Sequence, residues 1–243
     1  MVTDYYLQNR TFDKDRDIEC GGSMVVGNNV VASLPPPAPA RLHRVVESAE
    51  QQLKIYTLVS VSRNYKFHNP EGIYFVSFAV VEWIDVFTRV EYKNIVVDSL
   101  TYCQKKKGME IFAWVIMTNH IHLVFRITNE GKPEQVLGDF KRFTSKKIVE
   151  AIQENSSESR REWMLEQFKN AAQNSSNVSQ YQFWRHDNRP IELWSNHVID
   201  EKIEYVHQNP VKAGMVDYTE DYLYSSAKDY AGEKGLLENV VVV

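Results

Sequence analysis

The stretch FAWVIMTNHIHLVF, residues 112–125, constrains the fold more than any other part of the chain. An apolar segment is followed by a polar break at Thr118 and Asn119 and then by a second apolar segment that carries two histidines. The pattern predicts two β-strands joined at the polar break. Because side chains alternate across a strand, His120 and His122 are expected to project from one face, while the apolar residues beside them point into the core.

The order of the elements predicted around these strands indicates an α+β protein, with an antiparallel sheet covered by helices on one face. The strand segments are rich in β-branched and aromatic residues, and the helical segments have apolar residues at helical spacing. In chain order, the sequence first predicts a strand at 73–83, a helix at 89–108 that ends at Gly108, and the two strands described above. A helix at 132–155, an inserted helical segment at 155–180 and a partly strand-like segment at 181–194 follow. The last predicted element is a short helix at 198–209, which ends before Pro210.

The helix at 132–155 is expected to have one apolar and one basic side. Its basic residues form a positive face on a chain whose net charge is −4. Such a face is either solvated surface or the backbone-binding side of a nucleic-acid groove. The expected buried residues are Val136, Phe140, Phe143, Ile148 and Ile152, and the basic residues are Lys141, Arg142, Lys146 and Lys147.

Residues 1–61 differ from the rest of the 243-residue chain. They combine a charged aperiodic stretch, a Gly/Asn-rich stretch and the proline-rich segment SLPPPAPA, without a chemical motif. We therefore expect a flexible or accessory N-terminal extension at 1–61 and one domain at 62–243. The sequence has no evident signal peptide, membrane span or cysteine framework, which favours a cytoplasmic protein without a membrane partner.

The two histidines are compatible with a metal site on the strand. Residues two apart on a strand have Cα atoms about 6.6 Å apart, so His120 and His122 can converge on one ion and leave positions open for oxygen ligands and substrate. Seven histidines in 243 residues are enough for such a pair to arise by chance. On the spacing alone, a structural or exposed pair therefore stays open. A structural zinc site is less favoured, because the pair lacks cysteine partners.

The segment IEYVHQNPVKAGMV, residues 203–216, carries the second candidate group. On the helix predicted there, Tyr205 and Asn209 are four residues apart and lie side by side on one face, with Gln208 next to them. A phenol and an amide oxygen are thereby carried on a short helix that can lie against the sheet. Packing of the aromatic ring alone is the simpler explanation of Tyr205.

Taken together, these motifs resemble the single-tyrosine HUH transposases. The resemblance rests on VIMTNHIHLVF followed far downstream by IEYVHQNPVKAGMV, and the basic stretch FKRFTSKKI also resembles that family. YSSAKDYAG, residues 224–232, is similar to the REP-associated tyrosine transposase branch. The resemblance covers residues 62–232. It departs at Thr118, where family members often have a proline, and at 153–180, which is longer than the usual connection.

The resemblance implies an HUH-type nuclease core, which is a ferredoxin-like antiparallel sheet with helices on one face. It also implies metal-dependent cleavage and transfer of single-stranded DNA at hairpins of repeated palindromic elements. In this chain, His120 and His122 would bind Mg²⁺ or Mn²⁺, with Asn209 as the third ligand and Gln208 as its alternative. Tyr205 would be the nucleophile and would form a 5′-phosphotyrosine intermediate.

For the DNA path, the charge pattern favours the basic helix together with three further cations. Unpaired bases can also stack on aromatic side chains, for which Phe183, Trp184 and Trp194 are candidates. The expected DNA-binding residues are Lys141, Arg142, Lys146, Lys147, Arg185, Arg189 and Lys212. The expected partner is single-stranded or hairpin DNA, and the expected state is a monomer or a homodimer.

Two other functions stay compatible with the motifs. An insertion-sequence transposase would share the sheet and the tyrosine, but it is usually an obligate dimer that exchanges the tyrosine helix between subunits. A domesticated protein would bind DNA hairpins without cleaving them, although it would have no need for both histidines, Tyr205 and Asn209. The C-terminal stretch YLYSSAKDYAG favours the REP-associated branch over the insertion-sequence type.

Overall fold

The computed structural model describes residues 67–129, 131–173, 180–186 and 190–243. The N-terminal extension expected at 1–61 lies outside the described residues, as does the start of the domain expected from residue 62. No helix in the described part of the chain is long and apolar enough to cross a bilayer.

Within these residues, four strands form one antiparallel sheet. The strands are β1 (Ile73–Ala79), β2 (Met109–Ile116), β3 (His120–Ile127) and β4 (Ile191–Leu193), and the helices are α1 (Val90–Lys107), α2 (Pro133–Glu154), α3 (Arg161–Gln173), α4 (Asn196–Lys212) and α5 (Ala227–Tyr230). The strand order is β2-β3-β1-β4. With α1 between β1 and β2, and α2 and α3 between β3 and β4, this is the ferredoxin-like connectivity. The predicted α+β fold is confirmed.

The pairing register assigns each side chain of the sheet to one of two faces. Ser77 of β1 is opposite His122 of β3, and the next pair, Phe78 and Ile121, projects from the other face. α2 covers the Phe78 face, where the ring centroids of Phe140 and Phe78 are 5.9 Å apart, and α1 packs against α2. α4 covers the histidine face, where it packs against β2, β3 and β4.

β1 is shorter than the strand predicted at 73–83. It ends at Ala79, and a 3₁₀ turn follows at Val81–Trp83. Glu82 and Trp83 have φ values of 51° and 54°. These angles belong to the left-handed region, in which an extended strand cannot continue. The chain therefore turns away from the sheet before it enters α1.

α2 has the predicted apolar and basic sides, with one exception. The buried side includes Val136, Phe140, Ile148 and Ile152. Phe143 is 53% exposed, so its predicted burial is wrong. At about 100° per residue, Phe143 lies about 60° from Phe140 on the side away from Ile148, which is the edge of the buried stripe.

α3 lies within the segment that the sequence marks as an insertion. It nevertheless buries Met164 and Phe168 completely and packs against α2, so it belongs to the core. The connection that leads into α3 is held by Glu158, whose buried carboxylate accepts a hydrogen bond from Nε of Arg89 at 2.6 Å. The inserted segment therefore extends the helical layer rather than forming a separate loop.

α4 is longer than predicted, because it continues through Pro210 to Lys212. A proline removes one backbone donor, and the sequence therefore predicts an end before it. Beyond the proline, however, the Ala213 N–H donates to the Asn209 carbonyl at 3.0 Å, so the ladder of helical hydrogen bonds resumes. Pro210 lies in the last turn of the helix rather than after it.

The C-terminal segment covers the outer edge of β2. An uncovered edge strand presents unpaired backbone groups on which other strands can pair. Here Ile116 donates its N–H to the Tyr224 carbonyl at 2.9 Å, and Ser226 donates its N–H to the Trp114 carbonyl at 3.0 Å. These backbone groups of the edge strand are thereby paired within the chain.

The side chain of Ser226 also ties α4 to the sheet. Its fully buried hydroxyl accepts a hydrogen bond from the Trp114 N–H at 2.9 Å and lies 2.9 Å from Nε2 of His207 on α4. Burial lowers the pKa of His207 to about 4 against the opposing effect of Glu204, so the ring is neutral at pH 7. One hydroxyl therefore joins a strand, the tyrosine-bearing helix and the C-terminal segment.

Replacing Ser226 with alanine is expected to lower the free energy of unfolding by about 2–4 kcal/mol. The buried Trp114 N–H and the His207 ring would each lose a partner, and an unsatisfied buried polar group costs about 1–3 kcal/mol. Urea unfolding followed by circular dichroism measures the change. The matched control is Ser157→Ala, because Ser157 is exposed. A Ser226→Ala effect as small as the control's, within about 0.5 kcal/mol, would contradict the assigned network.

Candidate active site

β3 brings both histidines to the sheet face that α4 covers. The ring centroids of His120 and His122 are 4.8 Å apart, and the ring planes are inclined by 71°. His122 is 5% exposed and stacks on Phe75 with centroids 5.4 Å apart, whereas His120 is only partly buried. The two imidazoles are thus neighbours on one face, as alternation along the strand predicts.

Asn119 fixes the orientation of the His120 ring. Its Nδ2 donates to the Trp83 carbonyl at 3.2 Å and to Oδ1 of Asp85 at 3.0 Å. The amide oxygen therefore faces Nδ1 of His120, at 2.7 Å, and accepts the proton of that nitrogen. Because the proton is on Nδ1, the lone pair of His120 is on Nε2. In metal sites, a hydrogen-bond partner commonly fixes the tautomer and orientation of a histidine ligand in this way.

Burial keeps both imidazoles neutral. It lowers the pKa of His120 to about 4, against the opposing charge of Asp85. The pKa of His122 lies well below its ordinary range, first because of burial and then because of His120 and Lys202, although a hydrogen bond with Asn209 opposes the shift. A metal ligand must be an unprotonated imidazole, so both rings are in the binding form at pH 7.

α4 brings Tyr205 against this histidine pair. The helix begins at Ser195, whose side chain caps it by accepting the Val198 N–H at 3.3 Å. Its buried side consists of Ile199, Ile203 and Val206, at the spacing that the sequence predicts. On the adjacent side, the Tyr205 ring lies 5.3 Å from the His122 ring and 5.8 Å from the Phe75 ring, measured between centroids.

Asn209 lies one helical turn beyond Tyr205. Its Nδ2 donates to the Tyr205 carbonyl at 2.6 Å, and a second side-chain hydrogen bond joins Asn209 to His122. Because Nδ2 is turned back toward the helix, the amide oxygen is the atom that faces the histidines. Gln208, the alternative to Asn209, is partly buried beside it. The structure therefore brings together both histidines, Tyr205 and Asn209.

The two imidazoles and the Asn209 amide oxygen could together hold a divalent cation. All three donors are neutral, and Nδ1 of His122 is buried with no hydrogen-bond partner among the described residues. In that same part of the chain, no group of three or more His, Cys, Asp or Glu side chains is placed to hold a metal ion. An open set of nitrogen and oxygen donors fits Mg²⁺ or Mn²⁺ together with substrate phosphate oxygens.

Two lysines of α4 flank Tyr205. Nζ of Lys202 lies 5.2 Å from the centroid of the Tyr205 ring and equally far from that of Phe75, and Nζ of Lys212 lies 6.0 Å from the Tyr205 centroid. Lys212 was among the predicted DNA-binding residues, but Lys202 was missed. Its position three residues before Tyr205 on a helix was the available signal, because residues three apart share a face.

The predicted DNA-binding residues do not form one cluster. Four of them, Lys141, Arg142, Lys146 and Arg185, line a groove of about 830 Å³ between α2 and the segment at 180–186. Lys147 does not line this groove and pairs with Glu150 at 3.0 Å. Lys212 lies at Tyr205, on the other face of the sheet. Arg189 lies outside the described residues.

Two of the three aromatic candidates for base stacking are core residues. Phe183 is 1% exposed and Trp184 is 5% exposed, so neither can offer a ring face to a base. Nε1 of Trp184 donates to the Thr144 hydroxyl at 3.0 Å, which fixes the indole in the core. Trp194 is 81% exposed and stays a candidate. The strand-like pattern at 181–194 did not reveal which aromatic residues face inward.

A family model described as "Transposase IS200 like" matches residues 80–182. Over these residues the chain is similar to the IS200-like transposase family. The predicted assignment to transposases, and with it to enzymes, is confirmed at this level. The matched span contains both histidines, Asn119 and α2, but it ends before α4. The IS200-like match therefore does not extend to Tyr205 or Asn209, whose roles rest on the geometry alone.

Two solved structures are similar to the chain. A REP-associated tyrosine transposase bound to a REP hairpin is 15% identical, with a TM-score of 0.49 over 75% of this chain and 94% of that one. A proposed transposase from Deinococcus radiodurans is 14% identical, with a TM-score of 0.36 over 60% of this chain and 97% of that one. At these values neither structure bears on the function of the chain. No curated protein matches it.

Nuclear magnetic resonance titration of the histidines is expected to give a midpoint near pH 4 for His120, whose pKa burial lowers to about 4. In urea-unfolded protein the midpoint should be near pH 6.5, the value of a solvated histidine. Because the unfolded chain binds this proton first, the free energy of unfolding should fall as pH decreases from about 6.5 toward 4. A His120 midpoint near 6.5 in the folded protein would mean that the ring is in water.

Proposed function

We propose that the protein cleaves single-stranded DNA and transfers the cut strand through a 5′-phosphotyrosine on Tyr205, with Mg²⁺ or Mn²⁺ as cofactor. The observation that carries the proposal is the contact between the Tyr205 and His122 rings, whose centroids are 5.3 Å apart. It puts a phenol beside a pair of neutral imidazoles. The IS200-like match over residues 80–182 supports the same reading.

In this proposal, His120 would hold the cation through Nε2, His122 would hold it through a ring nitrogen, and Asn209 would hold it through its amide oxygen. When bound, the cation supplies Lewis-acid polarisation of the non-bridging oxygens of the scissile phosphate. Since the three protein donors are neutral, none of them competes with the phosphate for the positive charge. Asn119 holds His120 in the binding tautomer, and Phe75 holds the His122 ring by stacking.

Tyr205 performs the bond exchange. A free tyrosine ionises near pH 10, so the hydroxyl must lose its proton as it attacks. The tyrosine proton passes to solvent as the phenolic oxygen forms a bond to phosphorus, the bond from phosphorus to the 3′-oxygen breaks, and the leaving 3′-oxygen takes up a proton from solvent. The phosphotyrosine conserves the energy of the broken bond, and attack by another 3′-hydroxyl rejoins the strand. Lys202 and Lys212, whose ammonium groups lie near the Tyr205 ring, supply positive charge that favours ionisation of the phenol.

The groove beside α2 is the proposed path of the DNA backbone. Its lysines and arginines neutralise phosphates, which is the main source of affinity for single-stranded nucleic acid. Arg142 and Lys146 also pair with acidic neighbours, at 3.0 Å to Asp139 and 3.8 Å to Glu150. These exposed pairs are weak and can exchange for phosphate contacts. Hairpins of repeated palindromic elements are the proposed substrate.

The insertion-sequence type stays an alternative with the same chemistry. Its exchange of the tyrosine helix between subunits is not needed here, because α4 contacts the histidine face of its own chain. This favours a site built within one subunit. A monomeric or homodimeric state, and a cytoplasmic location, stay predictions. The non-cleaving hairpin-binding alternative is tested by the covalent adduct described next.

Tyr205→Phe is expected to abolish formation of a covalent protein–DNA adduct while the protein stays folded. The change removes one oxygen and keeps the ring that packs on Phe75 and His122. The protein is incubated with Mn²⁺ and a hairpin oligonucleotide carrying a single-stranded flank, labelled on the 3′ side of the cut. On a denaturing gel, the label should migrate with the wild-type protein, and the 5′ fragment should be released with a free 3′-hydroxyl.

Tyr218→Phe is the matched control, because Tyr218 is 67% exposed and no contact at the site depends on it. It should form the adduct as the wild type does, and EDTA should prevent the adduct in both. Cleavage without a protein-linked fragment would replace the proposal by a hydrolytic nuclease. Binding without any cleavage would favour the non-cleaving alternative.

The double variant Arg142→Gln/Lys146→Gln is expected to bind single-stranded DNA more weakly and with a smaller salt dependence. Each phosphate contact contributes about 0.7 to the slope of log affinity against log salt concentration, so two lost contacts lower the slope by about 1.4. Fluorescence anisotropy at several salt concentrations measures it. Lys105→Gln/Lys106→Gln on α1 removes the same charge from exposed residues outside the groove. Equal slopes for both double variants would place the DNA elsewhere.

A further inference from the structure

The turn that follows β1 presents one large aromatic ring at the edge of the proposed active site. Trp83 is 40% exposed, and its ring centroid lies 6.0 Å from that of His120. Both Trp83 and its neighbour Glu82 have left-handed backbone angles. Such angles are unfavourable for bulky residues and persist where the surrounding structure enforces them, often at functional sites.

Hydrogen bonds from two sides hold this turn. The Val80 N–H donates to the Asn119 carbonyl at 2.9 Å, and Nδ2 of Asn119 donates to the Trp83 carbonyl at 3.2 Å. On the other side, the Val81 N–H donates to the Phe183 carbonyl at 2.9 Å. The backbone of Trp83 is thus anchored both to the β2–β3 turn and to the segment that lines the basic groove. A rigidly anchored, half-exposed ring is a ready-made surface for another flat ring.

Trp83 also connects the two parts of the proposed DNA site. The guanidinium carbon of Arg185 lies 5.4 Å from the centroid of the Trp83 ring. Arg185 lines the groove, and its carbonyl accepts a hydrogen bond from Nζ of Lys141 at 2.7 Å. Groove, Arg185, Trp83 and His120 therefore follow one another in contact. A strand that enters through the groove passes the indole before it reaches the histidines.

We propose that Trp83 is the stacking platform for one unpaired base of the DNA, in the nucleotides that flank the phosphate to be cleaved. The inference rests on the proposed function, because it requires a single strand at the histidine pair. Stacking on an indole accepts any base, since every base has a π-face. Trp83 therefore positions the strand without selecting a sequence, and Arg185 supplies a cation beside the stacked pair.

The test is an abasic scan of the DNA flank, performed in EDTA so that binding is measured without metal or cleavage. Trp83→Leu is expected to weaken binding of the intact oligonucleotide by about 5- to 150-fold, the range of one base–aromatic stack. At one flank position, loss of the base should weaken binding by the wild-type protein by a similar factor. The same loss should leave the affinity of the Trp83→Leu variant almost unchanged. Trp83→Phe keeps an aromatic face and should retain most of the affinity.

Trp163→Leu is the matched control, because Trp163 is 49% exposed on α3 and lies outside the groove. It should bind every oligonucleotide as the wild type does. If Trp83→Leu weakens binding of intact and abasic strands equally at every position, or does not weaken it, the stacking role is overturned. Circular dichroism and thermal unfolding verify that each variant is folded.

The adduct assay separates this inference from the proposed function. If the effect of base loss on binding depends on Trp83 but no Tyr205 adduct forms, the stacking site is supported and the cleavage proposal is wrong. If the adduct forms but the effect of base loss does not depend on Trp83, the cleavage proposal is supported and the stacking site is wrong.

Discussion

The candidate site depends on the side chain of Asn119 more than on any residue that would touch DNA. Its amide donates to the Trp83 carbonyl and to Asp85, and its oxygen accepts the proton on Nδ1 of His120. Three hydrogen bonds of this one amide thereby set the tautomer of His120 and the position of Trp83. These three partners need two N–H donors and one acceptor oxygen, and among neutral side chains only a carboxamide presents that set on one rigid plane.

Local rules predicted the parts of the site that lie on regular elements. Alternation along β3 gave the common face of His120 and His122, and helical spacing on α4 gave the proximity of Tyr205 and Asn209. The same rules failed where tertiary contacts decide the outcome. The left-handed turn at Trp83 depends on Asn119, a partner in another element, so the strand pattern at 73–83 could not reveal it. The ring of Phe183 looked available in sequence but is buried by the fold.

Charge is divided between the two sides of the candidate site. The sheet contributes neutral imidazoles, which burial keeps unprotonated, whereas α4 contributes the cations Lys202 and Lys212. Lys202 lies close enough to His122 to help lower its pKa, so the two contributions are coupled. A protonated His122 would repel both the lysine and a bound cation. In the proposed function, this division would keep the positive charge on the lysines, which would face a phosphate, and away from the imidazoles, which would donate lone pairs to the cation.

The two halves of the site also come from different parts of the chain. Residues 80–182 hold the histidines and the α2 side of the groove, whereas Tyr205 lies on α4, beyond that span. The contact between the halves is reinforced on the far side of α4, where His207 meets the Ser226 hydroxyl that also binds the Trp114 N–H of β2. α4 is thus held between the sheet in front and the C-terminal segment behind. A nucleophile must approach phosphorus in line with the leaving oxygen, and a small rotation of its helix would destroy that alignment. If Tyr205 is the nucleophile, the buried hydroxyl of Ser226, although it cannot touch DNA, belongs to the structure that would orient it.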